Sequence, residues 1–328
     1  MPTLNVPFRA RVNPWTQGAE EHMREWARAH RLVSGNAAVE RLNGALIGHL
    51  AGYTYPEANS AELCTTADWT AWLFLFDDSL DDTSAGRDQD SVRHIVEALA
   101  GALTADAVEG GQRIGADLPI VLALADLLSR TAPTMPQSWR NRFVVDMTAY
   151  LCSYRTQATV NASRVALGEE EYIEHRLSSG ACFAVIDLIE FANHLPLPQE
   201  IVDTEVVRRL RRTTSNVVCW TNDLFSAPKE ISRGDLCNYV AVLREETGRP
   251  LETCAGMVTE RICSEISAFS KAEAEFIDMT ADSRTVGRNA EALDGFIRGL
   301  KTWMRGNIEW SMMTSRYQER AINSISLS

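Results

Sequence analysis

The sequence predicts an all-α protein, and three observations lead there. Apolar residues recur at helical spacing along most of the 328 residues: Leu42, Leu46 and Leu50 at i, i+4 and i+8, with Ile120, Leu122, Ala123 and Leu127 on another face. Alternating apolar–polar runs bounded by hairpin turns are missing. Breaks between the periodic segments are short, and no Pro/Ser/Gly-rich tether divides the chain. One domain over residues 1–328 is expected, a bundle of about ten to twelve helices.

The segments follow in order from the breaks. Turn signals fall at Tyr55-Pro56, Thr83 to Gly86, Glu109 to Pro119, Ala132 to Pro136, Leu195 to Pro198, Gly248 to Pro250, and Thr280 to Asp282. Between them lie long helical runs, among them 137–162 and 199–226. Gly180, inside an apolar run, suggests a local helix break. Pro228 removes an N–H and crowds the carbonyl of Leu224, so a kink is expected there.

Composition narrows the function classes. With 45% hydrophobic and 23% charged residues, the chain has enough apolar material for a large core and an apolar cavity besides. A formal charge of −12 argues against nucleic acid as a partner. The basic run Arg208, Arg209, Arg211 and Arg212 reads as a solvated helix face. Seven scattered cysteines, never in a CxxC spacing, read as reduced and buried thiols of a cytoplasmic protein. No window reaches membrane-spanning length, so no stable membrane insertion is expected, and the N-terminus lacks a secretory pattern.

Two polar constellations carry the chemistry. Trp72-Leu-Phe-Leu-Phe-Asp77-Asp78-Ser-Leu-Asp81-Asp82 is apolar for a turn and then sets four carboxylates within six residues. Asp77/Asp81 and Asp78/Asp82 stack four apart on a helix, where like charges repel unless a cation joins them. Mg²⁺, which prefers oxygen ligands, is the natural partner. A solvated, frayed helix end is the plain alternative. Further on, Asn222, Ser226 and Glu230 fall at i, i+4 and i+8, drifting only about 40° per step. An amide, a hydroxyl and a carboxylate could thus chelate one ion along one face. No Ser/His/Asp or Cys/His arrangement, HExxH or Gly-rich phosphate loop stands out.

The pair of constellations resembles the class I terpene synthases, particularly bacterial cyclases of sesquiterpene size. DWTAWLFLFDD, counted from Asp68, is similar to the family's approach to its aspartate-rich motif, and Asn222 to Glu230 match its N-D-x-x-S-x-x-x-E motif. The resemblance implies that Asp77 is the main ligand of two Mg²⁺ ions, with Asp78 and either Asp81 or Asp82 assisting. Asn222, Ser226 and Glu230 would hold a third. His175-Arg176-Leu-Ser-Ser179-Gly180 resembles the segment with a diphosphate-sensing arginine, a linker and an effector, which assigns Arg176, Ser179 and Gly180. Arg316-Tyr317 resembles the terminal pair that donates hydrogen bonds to diphosphate, and Lys229 is a further contact.

From these parts one expects ionisation of a small-molecule prenyl diphosphate in a dry pocket. Leu73 and Phe74, one turn before Asp77, are expected on the cavity wall, with Trp310 as an aromatic wall. Trp72 and Phe76 are expected in the core. Farnesyl diphosphate suits the chain size, with geranyl and geranylgeranyl diphosphate as alternatives. A chain-elongating prenyltransferase would need a second aspartate-rich motif, and a non-catalytic cation-binding bundle gives no reason for Arg176, Lys229, Arg316 and Tyr317. A monomer or homodimer is expected.

Overall fold

The computed structural model describes residue 4 and residues 6–81, 88–104, 117–281 and 286–317. Among the described residues the elements are α-helices joined by short turns, with no strand. α1 (Thr16–Ala29), α2 (Asn36–Ala45), α3 (Ile47–Thr54), α4 (Ser60–Asp81) and α5 (Gln89–Leu103) come first. α6 (Pro119–Thr131), a 3-10 turn at Ala132–Thr134, α7 (Gln137–Ser163), α8 (Glu169–Ser179) and α9 (Cys182–Asn193) follow. α10 (Gln199–Val202), α11 (Glu205–Ser232), α12 (Tyr239–Thr247), α13 (Leu251–Ala281), α14 (Val286–Met313) and a 3-10 turn at Ser315–Tyr317 complete the order. The number expected is reached once the single-turn α10 is set aside and α2–α3 is counted as one helix bent at Leu46, whose φ is 52°.

The helix expected over 199–226 is interrupted. Asp203 closes α10, and the Thr204 hydroxyl caps α11 by accepting from the Val207 N–H at 3.4 Å. Past Ser226 the helix continues through Pro228 to Ser232. The break at Gly180 is present: Ala181 takes a left-handed conformation at φ 52°, ending α8 and starting α9.

α4 and α9 are apolar nearly all round, which suits helices at the centre of a bundle. Trp69, Trp72, Phe76, Ile186 and Leu188 are buried, so Trp72 and Phe76 are core residues as expected. Buried indoles still need acceptors. Trp69 donates to the Thr131 hydroxyl, Trp72 to the Ile120 carbonyl and Trp139 to the Asp187 carbonyl, each at 2.9 Å. These bonds fix how α4, α6, α7 and α9 turn toward one another.

The basic run divides. Arg208, Arg209 and Arg212 pair with Glu205, Glu275 and Glu174 at the surface. Arg211 departs from the expectation: it is largely buried, 2.6 Å from Asp146 and 3.0 Å from Asp187, because its turn of α11 faces α7 and α9. The cysteines divide as well. Cys182, Cys219 and Cys254 are buried free thiols, whereas Cys152 and Cys263 are exposed because their helix positions face outward.

Candidate active site

A cavity of about 670 Å³ lies among α4, α7, α8, α9, α11 and α14. One side is apolar and aromatic: Leu73, Phe74, Val185, Val218 and Trp303. The other is crowded with charge: Asp77 and Asp78 from α4, Arg176 from α8, Asn222, Ser226, Lys229 and Glu230 from α11, and Arg316 and Tyr317 after α14. Ser179 and Gly180 line it at the α8–α9 break. Residues far apart in the chain, from Leu73 to Tyr317, thus meet around one space, as the two polar constellations required.

On α4, the Tyr154 hydroxyl donates to Asp77 Oδ1 at 2.9 Å, and Tyr150 and Tyr154 share a 2.8 Å hydrogen bond. Asp78 receives both arms of the Arg316 guanidinium at 2.8 and 2.7 Å. Arg316 also lies over the Phe74 ring, 4.5 Å from its centre. Its neighbour Tyr317 accepts from Asn222 Nδ2 at 2.7 Å. The terminal pair therefore touches both polar constellations at once. Asp81 is the last residue of α4, and Asp82 lies outside the described residues, so the choice between them rests with the sequence.

On α8, Arg176 donates through Nε and Nη2 to Asp223 Oδ1 at 3.1 and 2.9 Å, and through Nη2 to Asn222 Oδ1 at 3.0 Å. Tyr172 donates to the other Asp223 oxygen at 2.5 Å. Burial opposes the Arg176 charge, but Asp223 beside it raises the pKa on balance. His175, by contrast, is kept neutral, its pKa pushed down to about 4 by burial and by Arg176.

The carboxylates repel within this recess. Glu230 is pushed up to about 7 by burial and by Asp235 and Asp223. Asp77 is raised by burial and by Asp78, against the pull of Arg316 and the Tyr154 hydrogen bond. Carboxylates strained in this way are relieved by a hard cation. Among the described residues no three acidic, imidazole or thiol groups are placed to hold a metal ion. The second set instead offers an amide, a hydroxyl and a carboxylate oxygen. An all-oxygen donor set fits a hard divalent ion rather than a soft one.

One expectation fails. Trp310 is not on the wall: it is fully buried, and its indole N–H donates to the Ala45 carbonyl at 2.8 Å. That bond turns the ring behind Phe74 and Tyr317, whose ring centres are 5.5 and 5.7 Å away. α14 presents Trp303 and Asn307 to the cavity instead. Sequence reasoning also missed Tyr154, Asp223 and Asn238. Tyr150 and Tyr154, an i,i+4 tyrosine pair, were a usable signal, and Asn238 stands before an apolar run where a helix cap belongs.

Residues 68–268 match the family model described as Terpene synthase family 2, C-terminal metal binding. That span holds Asp77 and Asp78 as well as Asn222 to Glu230. Pristinol synthase of Streptomyces pristinaespiralis is 31% identical over 324 residues, covering 98% of this chain and 86% of that protein. The chain belongs to the class I terpene synthases. The synthase is 30% identical to the (+)-T-muurolol synthase ((2E,6E)-farnesyl diphosphate cyclizing) of Roseiflexus castenholzii, over 96% of this chain and 93% of that one. Its fold superposes on a variant of cucumene synthase with a TM-score of 0.85 and 28% identity, covering 96% and 100% of the two chains. Among the described residues no helix is long and apolar enough to cross a membrane.

Proposed function

We propose that the synthase ionises and cyclises farnesyl diphosphate to a sesquiterpene hydrocarbon or alcohol, releasing diphosphate. The observation that carries this reading is the Arg316–Tyr317 pair, which joins Asp78 to Asn222 across the charged side of a cavity whose other side is apolar. The farnesyl chain is favoured by the activities named for the relatives. Residues 1–328 are read as one catalytic unit.

Asp77 and Asp78, with Asp81 or Asp82, and Asn222, Ser226 and Glu230 would hold Mg²⁺, with three ions in all. Bound there, the metal supplies Lewis-acid stabilisation of the negative charge that grows on the leaving diphosphate. Arg176, Lys229, Arg316 and Tyr317 supply positive charge and hydrogen-bond donors on the same side. Ser179 and Gly180 line the cavity beside Arg176, at a helix break that can transmit what the arginine binds. Leu73, Phe74 and Trp303 keep water from the allylic cation, and the aromatic faces stabilise it by up to about 2 kcal/mol each when desolvated.

Purified protein incubated with the C10, C15 and C20 diphosphates, with and without Mg²⁺, is expected to give volatile product and free diphosphate only with the metal. The C15 substrate should be preferred. Asn222→Ala should abolish turnover while circular dichroism stays helical. No product and no diphosphate from any of the three substrates would refute the activity, and near-normal turnover in Asn222→Ala would refute the site.

A further inference from the structure

We propose that Asn238 is the positioning residue of the second metal set, holding Ser226 and Glu230 in register across the proline of α11. This rests on the reading that Asn222, Ser226 and Glu230 hold a divalent ion. Asn238 lies outside the motif, at the N-cap of α12, and its side chain has no exposure to solvent. Its Nδ2 donates to the Asp223 carbonyl at 2.9 Å, to Ser226 Oγ at 3.3 Å and to Glu230 Oε2 at 2.8 Å. Its Oδ1 accepts from the Val240 N–H at 2.9 Å, which fixes which end of the amide faces α11.

The need for such a residue follows from Pro228. A proline inside a helix withdraws one backbone donor and loosens the turn around it. Asp223 and Ser226 lie before Pro228 and Glu230 lies after it. A single buried amide that bonds to all three ties the two sides together, where the backbone ladder alone has lost a rung. The amide also cannot ionise, so it donates whatever the state of the carboxylate it holds. Partners of metal ligands that set ligand orientation typically matter 10–100-fold in metal affinity.

Asn238→Ser and Asn238→Thr separate this role from the cap. Both hydroxyl side chains cap a helix nearly as well as asparagine, but neither reaches α11. Binding of Mn²⁺, in the presence of inorganic diphosphate, is read by the loss of the free-ion electron paramagnetic resonance signal. Either variant should bind Mn²⁺ about tenfold more weakly or worse, with native helicity and a Tm close to wild type. In turnover, the Mg²⁺ concentration for half-maximal rate should rise in step while KM for the prenyl diphosphate moves little. Wild-type Mn²⁺ affinity in a folded variant would overturn the proposal, and so would failure of both variants to fold, which would make Asn238 a core residue. If the wild type itself binds no Mn²⁺ with diphosphate, the metal-site reading falls and this inference falls with it.

Discussion

Arg176 and Asp223 show how a residue seen as a ligand contact in the sequence is also a structural charge. Asp223 is almost fully buried, and its carboxylate is held by Arg176 on one oxygen and Tyr172 on the other. Removing one partner of such a buried pair leaves an uncompensated charge, which typically costs about 3–5 kcal/mol. Arg176→Ala should therefore lose about 3 kcal/mol in urea unfolding as well as its activity; unchanged stability would show that the pair does not hold the native state. Tyr317→Phe is milder: it deletes the hydroxyl that Asn222 meets at 2.7 Å, a bond of about 1 kcal/mol. Turnover should fall about fivefold with stability nearly unchanged, and steady-state kinetics beside a melting curve would check both. Asp77 on α4 and Asn222, Ser226 and Glu230 on α11 were legible in the sequence because the spacing of polar residues within each helix is itself the signal. Tyr154 offered only its i,i+4 pairing with Tyr150; that it meets Asp77 was not legible, because the contact comes from a helix 77 residues away. Trp310 was legible only as an aromatic; the Ala45 carbonyl, which no local pattern reveals, decides where its ring points.

At the scale of elements, the α8–α9 break is where sequence and packing agree most closely. Gly180 keeps an ordinary helical φ, so a side chain there would meet no backbone strain. What excludes it is α11: a β-carbon at position 180 would sit 2.3 Å from the Cys219 sulfur. Gly180→Ala should thus push α9 from α11, costing about 1–3 kcal/mol as overpacking does and lowering activity. Adding Cys219→Ala opens the space and should recover most of that stability. A Gly180→Ala protein as stable and active as wild type would remove the contact as the reason for glycine. α11 was harder to read. Its start moved from 199 to 205 because Thr204 caps it, and past Pro228 its Glu230 is tied to Asn238 at the cap of α12. Helical periodicity reports a face, and neither a cap nor a cross-tie from another helix alters that face.

Across the whole molecule, α7, α9 and α11 are joined by a buried ion cluster apart from the charged side of the cavity. Arg142 bonds to Asp187 at 2.8 Å and to Glu190, and Arg211 to Asp146 and Asp187. Three carboxylates thus share two guanidinium groups in the interior, and the arrangement makes Asp146 and Glu190 hold their protons more tightly. Asp146 is pushed up to about 7 by burial and by Asp187, and Glu190 up to about 7 by burial with Asp187 adding to it. A carboxyl whose pKa is higher folded than unfolded binds its proton more tightly in the native state. Its contribution to stability is therefore present at low pH and declines as pH rises from about 4 through about 7. This is opposite to the behaviour of surface carboxylates paired with a cation. Asp146→Asn, which mimics the protonated form and still accepts from Arg211, should flatten that decline. Urea unfolding at intervals from pH 5 to pH 8 should show the difference between wild type and variant changing by about 2 kcal/mol across the window. The variant should gain on wild type as pH rises. Parallel curves would mean that Asp146 carries no proton in the folded protein.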